Sequence, residues 1–165
     1  MIVVVGPPAA GKTTLLKELQ RRGHNVVYEQ QPLAQDGFCT QVSMLMTRRK
    51  QYLEAEEGTY FDRYWGDDDV FARVTLTEDE YMLYAQLRTA LTAELPPPKA
   101  IIYLWCDPEV AQKRVKNRGT RTSVIPLIPA LCEEYEAWIK KQSTPIMRFD
   151  TTQAFPVPEV FDVVF

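Results

Sequence analysis

The chain has 165 residues, of which 45% are hydrophobic and 25% are charged. These proportions are ordinary for a globular protein and exclude one that is disordered or fibrous throughout, and the length predicts one domain over 1–165. The formal net charge of −3 gives no basic excess, so duplex nucleic acid is not an expected partner.

Short, β-branched apolar runs predict buried parallel strands, and helical patterns lie between them. The expected strands are Met1–Val5, Asn25–Tyr28, Thr59–Phe61, Ala100–Trp105 and Ile146–Phe149. The expected helices are Gly11–Arg22, Gln41–Glu56, Thr77–Glu94, one that begins at Asp107-Pro108, and Pro126–Gln142. This alternation predicts an α/β fold of three layers, with a five-stranded parallel sheet flanked by helices.

Ligands bind beyond the carboxyl ends of the strands in such sheets. The residues found there are Gly6, Glu29, Asp62, Arg63 and Asp107. Three acidic residues, one arginine and a glycine at one edge of a sheet indicate a chemical site as well as a fold.

Residues 6–13 match the phosphate-binding pattern G-x-x-x-x-G-K-[ST], between a predicted strand and a predicted helix. The pattern predicts a P-loop that binds ATP or another nucleoside triphosphate, with the Lys12 ammonium on the β- and γ-phosphates and the Thr13 hydroxyl on Mg²⁺. The expected phosphate-binding residues are Gly6, Pro7, Pro8, Ala9, Ala10, Gly11, Lys12, Thr13 and Thr14.

A hydroxyl that attacks a γ-phosphoryl group needs a carboxylate near the P-loop. Glu29 is a candidate general base, Asp62 a candidate Mg²⁺ ligand through water, and Arg63 a candidate clamp for the reacting phosphoryl group. An exposed loop carboxylate at Glu29 and a structural ion pair of Asp62 with Arg63 are the alternatives.

Arginines follow the fourth strand on and after one helix. Arg114 and Arg118 are four residues apart, so they share a helix face, and Arg121 lies just beyond Gly119-Thr120. This pattern is typical of a short arginine-bearing lid that closes over phosphates. A solvated basic helix face is the alternative.

No membrane partner is expected, because the longest apolar run, residues 100–106, is too short to span a bilayer. The three cysteines are far apart and odd in number, which favours a reducing, cytoplasmic location. No leader segment is expected at the N-terminus, where no basic stretch precedes the apolar run.

The motifs together resemble the deoxyribonucleoside kinases, the family of the deoxycytidine, deoxyguanosine and insect multisubstrate kinases. The resemblance is carried by 6–13, 27–32, 38–41, 62–63 and 67–72 in the first half, and by 76–84, 102–114, 118–127 and 135–139 in the second. It implies phosphoryl transfer to the 5′-hydroxyl of a deoxyribonucleoside, and a homodimer packed through helices.

The family likeness also implies roles for single residues. Glu29 matches the general base and Gln41 the amide that reads the nucleobase edge, while Arg48 falls at the spacing of an arginine near the 5′ end or the base. Either Asp67 or Asp68 matches an acidic residue of the acceptor site. The Phe71 ring matches the one that stacks on the base, and Phe38 is placed to sandwich it.

Two alternatives remain at this point. The sequence Asp62-Arg63-Tyr64 also fits thymidylate kinases, whose acceptor is a 5′-monophosphate, and a nucleotide-binding regulator without catalysis is a further reading. The preferred base is open, because an amide such as Gln41 both donates and accepts hydrogen bonds.

Overall fold

Five parallel strands form the central sheet in the computed structural model, which describes residues 1–30 and 37–153. The strands are β1 (Ile2–Val5), β2 (Val26–Val27), β3 (Tyr60–Asp62), β4 (Ala100–Trp105) and β5 (Ile146–Asp150). Their order is β2-β3-β1-β4-β5, and each neighbouring pair is parallel. Strand β1 therefore lies in the centre, with later segments of the chain on both sides, and its carboxyl end faces the crevice where such sheets bind ligands.

Six α-helices flank this sheet in the part of the chain that the structure describes. They are α1 (Lys12–Arg21), α2 (Gly37–Glu54), α3 (Asp68–Thr75), α4 (Glu78–Thr92), α5 (Pro108–Arg118) and α6 (Ile128–Ile139), with a 3₁₀ helix at Thr122–Leu127. No helix in the described ranges is both long enough and apolar enough to cross a membrane. The predicted fold, a five-stranded parallel sheet between helices, is confirmed.

Two helix starts follow the chemistry of their first residues. Thr77 begins α4 with a capping box, in which its hydroxyl accepts from the Glu80 N–H while the Glu80 carboxylate accepts from the Thr77 N–H. The Asp107 carboxylate accepts from two N–H groups of the first turn of α5, where Pro108 has no N–H to satisfy. Both starts agree with the sequence prediction.

Helix α3 was not predicted. Its first turn carries Asp68 and Asp69, and both are buried, as is Asp67 just before the helix. The helix has eight residues, and its buried Val70 and Ala72 lie among buried aspartates that a pattern search counts as solvent-facing. The interior of the protein takes these carboxylates only because arginines accompany them.

Several predicted boundaries were also wrong. Helix α2 begins at Gly37, four residues before Gln41, and β2 is limited to Val26–Val27, as befits an edge strand that pairs on one side only. The predicted helix Pro126–Gln142 is divided into the 3₁₀ helix and α6. Pro126 and Pro129 have no N–H for a helical hydrogen bond, which favours a change of helix type there.

Two hydrophobic clusters cover the two faces of the sheet. Alternate residues of β1 point to opposite faces, so Val4 joins a cluster with the α1 leucines Leu15, Leu16 and Leu19, whereas Val3 and Val5 join the other. The second cluster is covered by α2, α4 and α6 through Leu45, Tyr84 and Tyr135. This two-sided burial fixes the sheet and exposes its carboxyl edge.

Candidate active site

A cleft of about 420 Å³ lies at the carboxyl ends of β1, β2 and β3. It is bounded by the P-loop on one side, the helices α2 and α3 on another, and the segment after α5 on a third. The lining residues are Pro8, Ala9, Gly11, Lys12, Thr13, Thr14, Glu29, Thr40, Gln41, Met44, Arg48, Asp62, Arg63, Asp68, Phe71, Val115, Arg118, Thr120, Arg121, Ser123 and Val124.

The P-loop leads from β1 into α1. Gly6 has a φ of 143°, and a Cβ at this position would collide with the Leu104 carbonyl oxygen, so only glycine fits. Gly11 has a φ of 95° where α1 begins and provides no side-chain cap for the first N–H groups of that helix. The Lys12 ammonium donates to the carbonyls of Gly6 and Pro7 at 2.7 and 2.9 Å. This geometry suits an anion at the helix start.

Glu29 is surrounded by three guanidinium groups. Its Oε1 lies 2.9 Å from Arg48 Nη2 and 3.4 Å from Arg63 Nη1, and its Oε2 lies 3.1 Å from Arg121 Nη1. Burial by itself raises the pKa of Glu29, but Arg63, Arg48, Arg121 and Lys12 together lower it to about 2. The side chain is only 15% exposed, so it is an ionised carboxylate inside the cleft and not an exposed loop residue.

The two candidate aspartates of the acceptor side occupy different places. Asp68 lines the cleft, and both of its oxygens lie 2.9 Å from Arg48 Nε. Asp67 is fully buried and does not line the cleft; its Oδ2 accepts from Arg63 Nε at 2.9 Å. Burial raises the pKa of Asp68 to about 7, against the opposite effect of Arg48 and Arg63.

The helices α2 and α3 contribute an aromatic ring, a thioether and an amide to one wall of the cleft. They are Phe71, Met44 and Gln41, whose Nε2 donates to the Thr75 hydroxyl at 3.3 Å. The Arg63 guanidinium lies 3.8 Å from the centre of the Phe71 ring. The structure does not bring Phe38 into this wall. Its ring packs against the second hydrophobic cluster, the one that α2, α4 and α6 cover.

Asp62 carries a buried carboxylate oxygen, Oδ1, that has no hydrogen-bond partner among the described residues. Burial raises the pKa of Asp62, while Lys12 opposes that rise. Thr13 lines the same cleft. A hydroxyl and a single unsatisfied carboxylate fit Mg²⁺ because this ion takes its remaining ligands from phosphates and water. Residues 1–30 and 37–153 contain no cluster of three or more acidic, histidine or cysteine side chains that would hold a metal by itself.

Two of the three predicted lid arginines line the cleft. They are Arg118, at the end of α5, and Arg121, whose φ of 54° turns the chain toward Glu29. Arg114 does not line the cleft. Its Nη2 donates to the carbonyls of Thr151 and Thr152 at 2.7 and 3.1 Å, which ties α5 to the segment after β5. Its Nη1 also lies 3.5 Å from the carbonyl oxygen of Ala9 in the P-loop, so Arg114 adjoins the phosphate-binding loop from outside the cleft.

The lining of the cleft differs from the predicted set of site residues at several other positions. Gly6, Pro7 and Ala10 belong to the P-loop motif but do not line the cleft. Cleft residues that were not predicted are Thr40, Met44, Val115, Thr120, Ser123 and Val124. Thr40 and Met44 lie one residue before and three after Gln41, so a helical wheel of α2 was the available signal for both.

The model of the family described as deoxynucleoside kinase matches residues 34–161 of the chain. The chain belongs to the deoxynucleoside kinase family. This membership confirms the predicted family and enzyme class, a kinase that phosphorylates a nucleoside with a nucleoside triphosphate, and it does not favour the nucleotide kinase alternative. No curated protein matches the sequence.

Solved structures of similar proteins share the fold. Deoxyadenosine kinase from M. mycoides with bound dATP is 22% identical with a TM-score of 0.86, over 99% of this chain and 97% of that chain. The same enzyme with bound dCTP is 20% identical with a TM-score of 0.83, over 99% and 98%. The YorR protein from Bacillus subtilis is 19% identical with a TM-score of 0.65, over 99% and 93%.

Proposed function

We propose that the enzyme transfers the γ-phosphoryl group of ATP, or of another nucleoside triphosphate, to the 5′-hydroxyl of a deoxyribonucleoside. The products are the 5′-monophosphate and the nucleoside diphosphate. The observation that carries the proposal is one shared cleft, lined by both the P-loop lysine Lys12 and the ionised carboxylate of Glu29.

The proposed reaction transfers one phosphoryl group to the acceptor and one proton to the enzyme. The 5′-oxygen forms a bond to the γ-phosphorus as the bond from that phosphorus to the β,γ-bridging oxygen breaks. The hydroxyl proton moves to Glu29, and the electron pair of the broken bond stays on the leaving diphosphate. Lys12, Arg63 and Arg118 stabilise the negative charge on the transferred group.

The donor phosphates occupy the P-loop, where the backbone N–H groups that begin α1 supply directed donors. Arg118 and Arg121 come from the lid side of the same cleft. Mg²⁺, held through the Thr13 hydroxyl and the Asp62 carboxylate, would neutralise part of the phosphate charge. The orphaned Asp62 Oδ1 supports this assignment.

The acceptor base occupies the wall formed by α2 and α3. Phe71 offers a ring face, and Gln41 offers an amide that donates and accepts at the same time. Arg48 has a buried Nη1 without a hydrogen-bond partner among the described residues, and Asp68 holds the opposite edge of that guanidinium. These groups support recognition of a base edge by hydrogen bonds.

A homodimer and a cytoplasmic location complete the proposal. Large exposed apolar side chains lie on α2 and α4, helices that pack against each other: Met46, Leu53, Met82 and Leu83. A second copy of the chain is the occupant that would bury them together. The buried thiols of Cys106 and Cys132 support a reducing compartment.

The test is product formation by the purified enzyme with Mg-ATP and each of the four deoxynucleosides. We expect at least one deoxynucleoside to give its 5′-monophosphate with stoichiometric release of ADP. Lys12→Met is the control, since it removes the P-loop charge and should abolish the reaction. Binding of ATP without turnover of any acceptor would refute the proposed activity.

A further inference from the structure

Arg63 has an unusual backbone conformation for the residue that approaches Glu29. Its φ is 71°, in the left-handed region that residues other than glycine rarely adopt. Such a conformation persists only where the surroundings determine it from several sides. The Arg63 N–H donates to the Val4 carbonyl at 3.0 Å, which anchors the residue to the end of β1.

One buried carboxylate holds both the backbone turn and the side chain of Arg63. Asp67 Oδ1 accepts from the Tyr64 N–H at 2.8 Å, and Asp67 Oδ2 accepts from Arg63 Nε at 2.9 Å. Asp67 is fully buried, so water does not compete for these bonds. A charge-assisted bond in such surroundings is stronger than one at the surface.

A tyrosine from helix α6 completes this arrangement. The Tyr135 hydroxyl, on α6, donates to Asp67 Oδ2 at 2.7 Å, and Tyr135 is fully buried. Burial raises the pKa of Tyr135 well above that of free tyrosine, so the hydroxyl keeps its proton and acts as a donor. Tyr135 therefore fixes the position of the oxygen that holds Arg63.

The other edge of the Arg63 guanidinium is held less closely. Its Nη1 lies 3.4 Å from Glu29, and its Nη2 lies 3.5 Å from Asp68 without a hydrogen bond to any described residue. The Phe71 ring, 3.8 Å away, restricts rotation out of the plane. The orientation of this edge is thus set mainly from the Nε side, by Asp67.

We propose that Asp67 and Tyr135 are positioning residues that aim the Nη edge of Arg63 at Glu29 and the transferred phosphoryl group. That Arg63 is aimed at a transferred phosphoryl group rests on the proposed function. That Asp67 and Tyr135 fix the orientation of Arg63 is a separate claim about the structure. Asp67, an expected substrate ligand from the sequence, thereby acts through Arg63 and not on the nucleoside.

The test compares Tyr135→Phe with Tyr103→Phe. Tyr103, on β4, is an equally buried tyrosine whose hydroxyl donates at 2.8 Å to the carboxylate of Glu136 on α6 and not to Asp67. Each variant loses one hydrogen bond from a hydroxyl to a carboxylate, so Tyr103→Phe controls for the general effect of such a loss on folding. Tyr135→Phe is preferred to Asp67→Asn, which leaves the buried Arg63 charge without its counter-ion and endangers folding.

Two readouts are expected to separate the variants. In ¹⁵N NMR spectra, the Arg63 Nε–H resonance, assigned by its loss in Arg63→Lys, should exchange with solvent at least about tenfold faster in Tyr135→Phe than in Tyr103→Phe or the wild type. With deoxynucleoside and Mg-ATP, kcat should fall roughly 10- to 100-fold in Tyr135→Phe with KM for the acceptor within about twofold, because misplacement of a catalytic group acts on the transition state.

Equal exchange of Arg63 Nε–H in the two variants would overturn the proposal, as would an unchanged kcat in a Tyr135→Phe enzyme whose Arg63 resonance has changed. If the wild type turns over no deoxynucleoside, the proposed function fails, and the NMR comparison still decides whether Asp67 and Tyr135 hold Arg63.

Discussion

Glu29 is a weak base in the thermodynamic sense, since its pKa of about 2 gives it little affinity for a proton. Phosphoryl transfer makes small demands on the base, because in a loose transition state the attacking oxygen carries little new bonding and loses its proton late. The surrounding arginines therefore cost little in proton transfer. They keep the carboxylate ionised and oriented toward the incoming hydroxyl.

Replacing Glu29 tests that role. Glu29→Gln keeps the shape and removes the proton acceptor, so kcat with a deoxynucleoside should fall on the order of 10²-fold or more. Glu18→Gln is the control, because Glu18 also pairs with two arginines but lies on the outer surface of α1. Steady-state kinetics measure the effect, and a kcat of Glu29→Gln within a few fold of the wild type would remove Glu29 as the base.

The low pKa of Glu29 also has a consequence for stability. A carboxylate whose pKa is lower in the folded protein stabilises the fold above the unfolded pKa, here 4.5, and loses that contribution as the pH falls through the folded value of about 2. This lowering of the pKa of Glu29 corresponds to about 3 kcal/mol of folding stability at neutral pH.

Urea unfolding of the wild type and Glu29→Gln from pH 6 down to pH 3 measures this contribution. The difference in free energy of unfolding should be constant above about pH 5 and narrow below pH 4. A difference that does not vary over this range would contradict ion pairing of Glu29 with the arginines.

Gln41 should determine which base is accepted. Gln41→Ala removes the only side-chain amide that lines the cleft among the described residues, so the ratios of kcat/KM among the four deoxynucleosides should change by roughly tenfold or more. The control is Gln51→Ala on the same helix, whose amide donates to the Tyr28 carbonyl outside the cleft. Unchanged ratios in Gln41→Ala would show that the amide does not read the base.

The sequence was sufficient to predict the cleft residues that belong to local motifs or follow a strand directly. The P-loop motif is local, and Glu29, Asp62 and Arg63 were found because each ends a short apolar strand. The distant contacts of Arg114 and Asp67 were not predicted. Arg114 donates to the Thr151 carbonyl, 37 residues away, and Asp67 accepts from the Tyr135 hydroxyl, 68 residues away, in addition to Arg63 nearby. No spacing rule connects these distant pairs.

Among the helices, α3 shows most clearly what a pattern cannot detect. Its Asp68 faces Arg48 of α2 and Arg63 of the β3–α3 turn. Val70 and Ala72 join the second hydrophobic cluster, so ion pairs and apolar side chains share its buried face. The longer helices α1 and α4 were predicted because leucines or a capping box mark them. Helical periodicity and capping motifs predict helices whose buried face is apolar. They miss a short helix whose buried face also carries ion pairs.

Helices α2 and α4 carry the test of the proposed dimer. Leu83 is 50% exposed on α4, so Leu83→Glu should leave folding nearly unchanged but place a charge in a subunit interface, at a cost of several kcal/mol to association. Sedimentation velocity should give a dimer for the wild type and a monomer for Leu83→Glu. Lys113→Glu, on α5 away from this surface, is the control. A monomeric wild type would refute the dimer.

In the molecule as a whole, the sheet order explains how distant parts of the sequence form one reaction site. Because β1 lies between β3 and β4, the P-loop is flanked by the strand that ends at Asp62 and by the strand that leads to the lid helix α5. Helices α2 and α3 then cover the acceptor side. The phosphate-binding part depends on one local motif, whereas the acceptor side is assembled from four separate segments, and it was accordingly the harder part to predict.

The central claim of the proposed function is that the acceptor carries a free hydroxyl at its 5′ position. The most direct measurement is kcat/KM for the preferred deoxynucleoside and for its own 5′-monophosphate, with Mg-ATP and chromatographic identification of the product. In the proposed mechanism Glu29 accepts the proton of an attacking hydroxyl, and a phosphate already at that position would be repelled by its negative charge. We therefore predict that the nucleoside is preferred by a factor of 100 or so; preference for the monophosphate, with a diphosphate as product, would contradict the account.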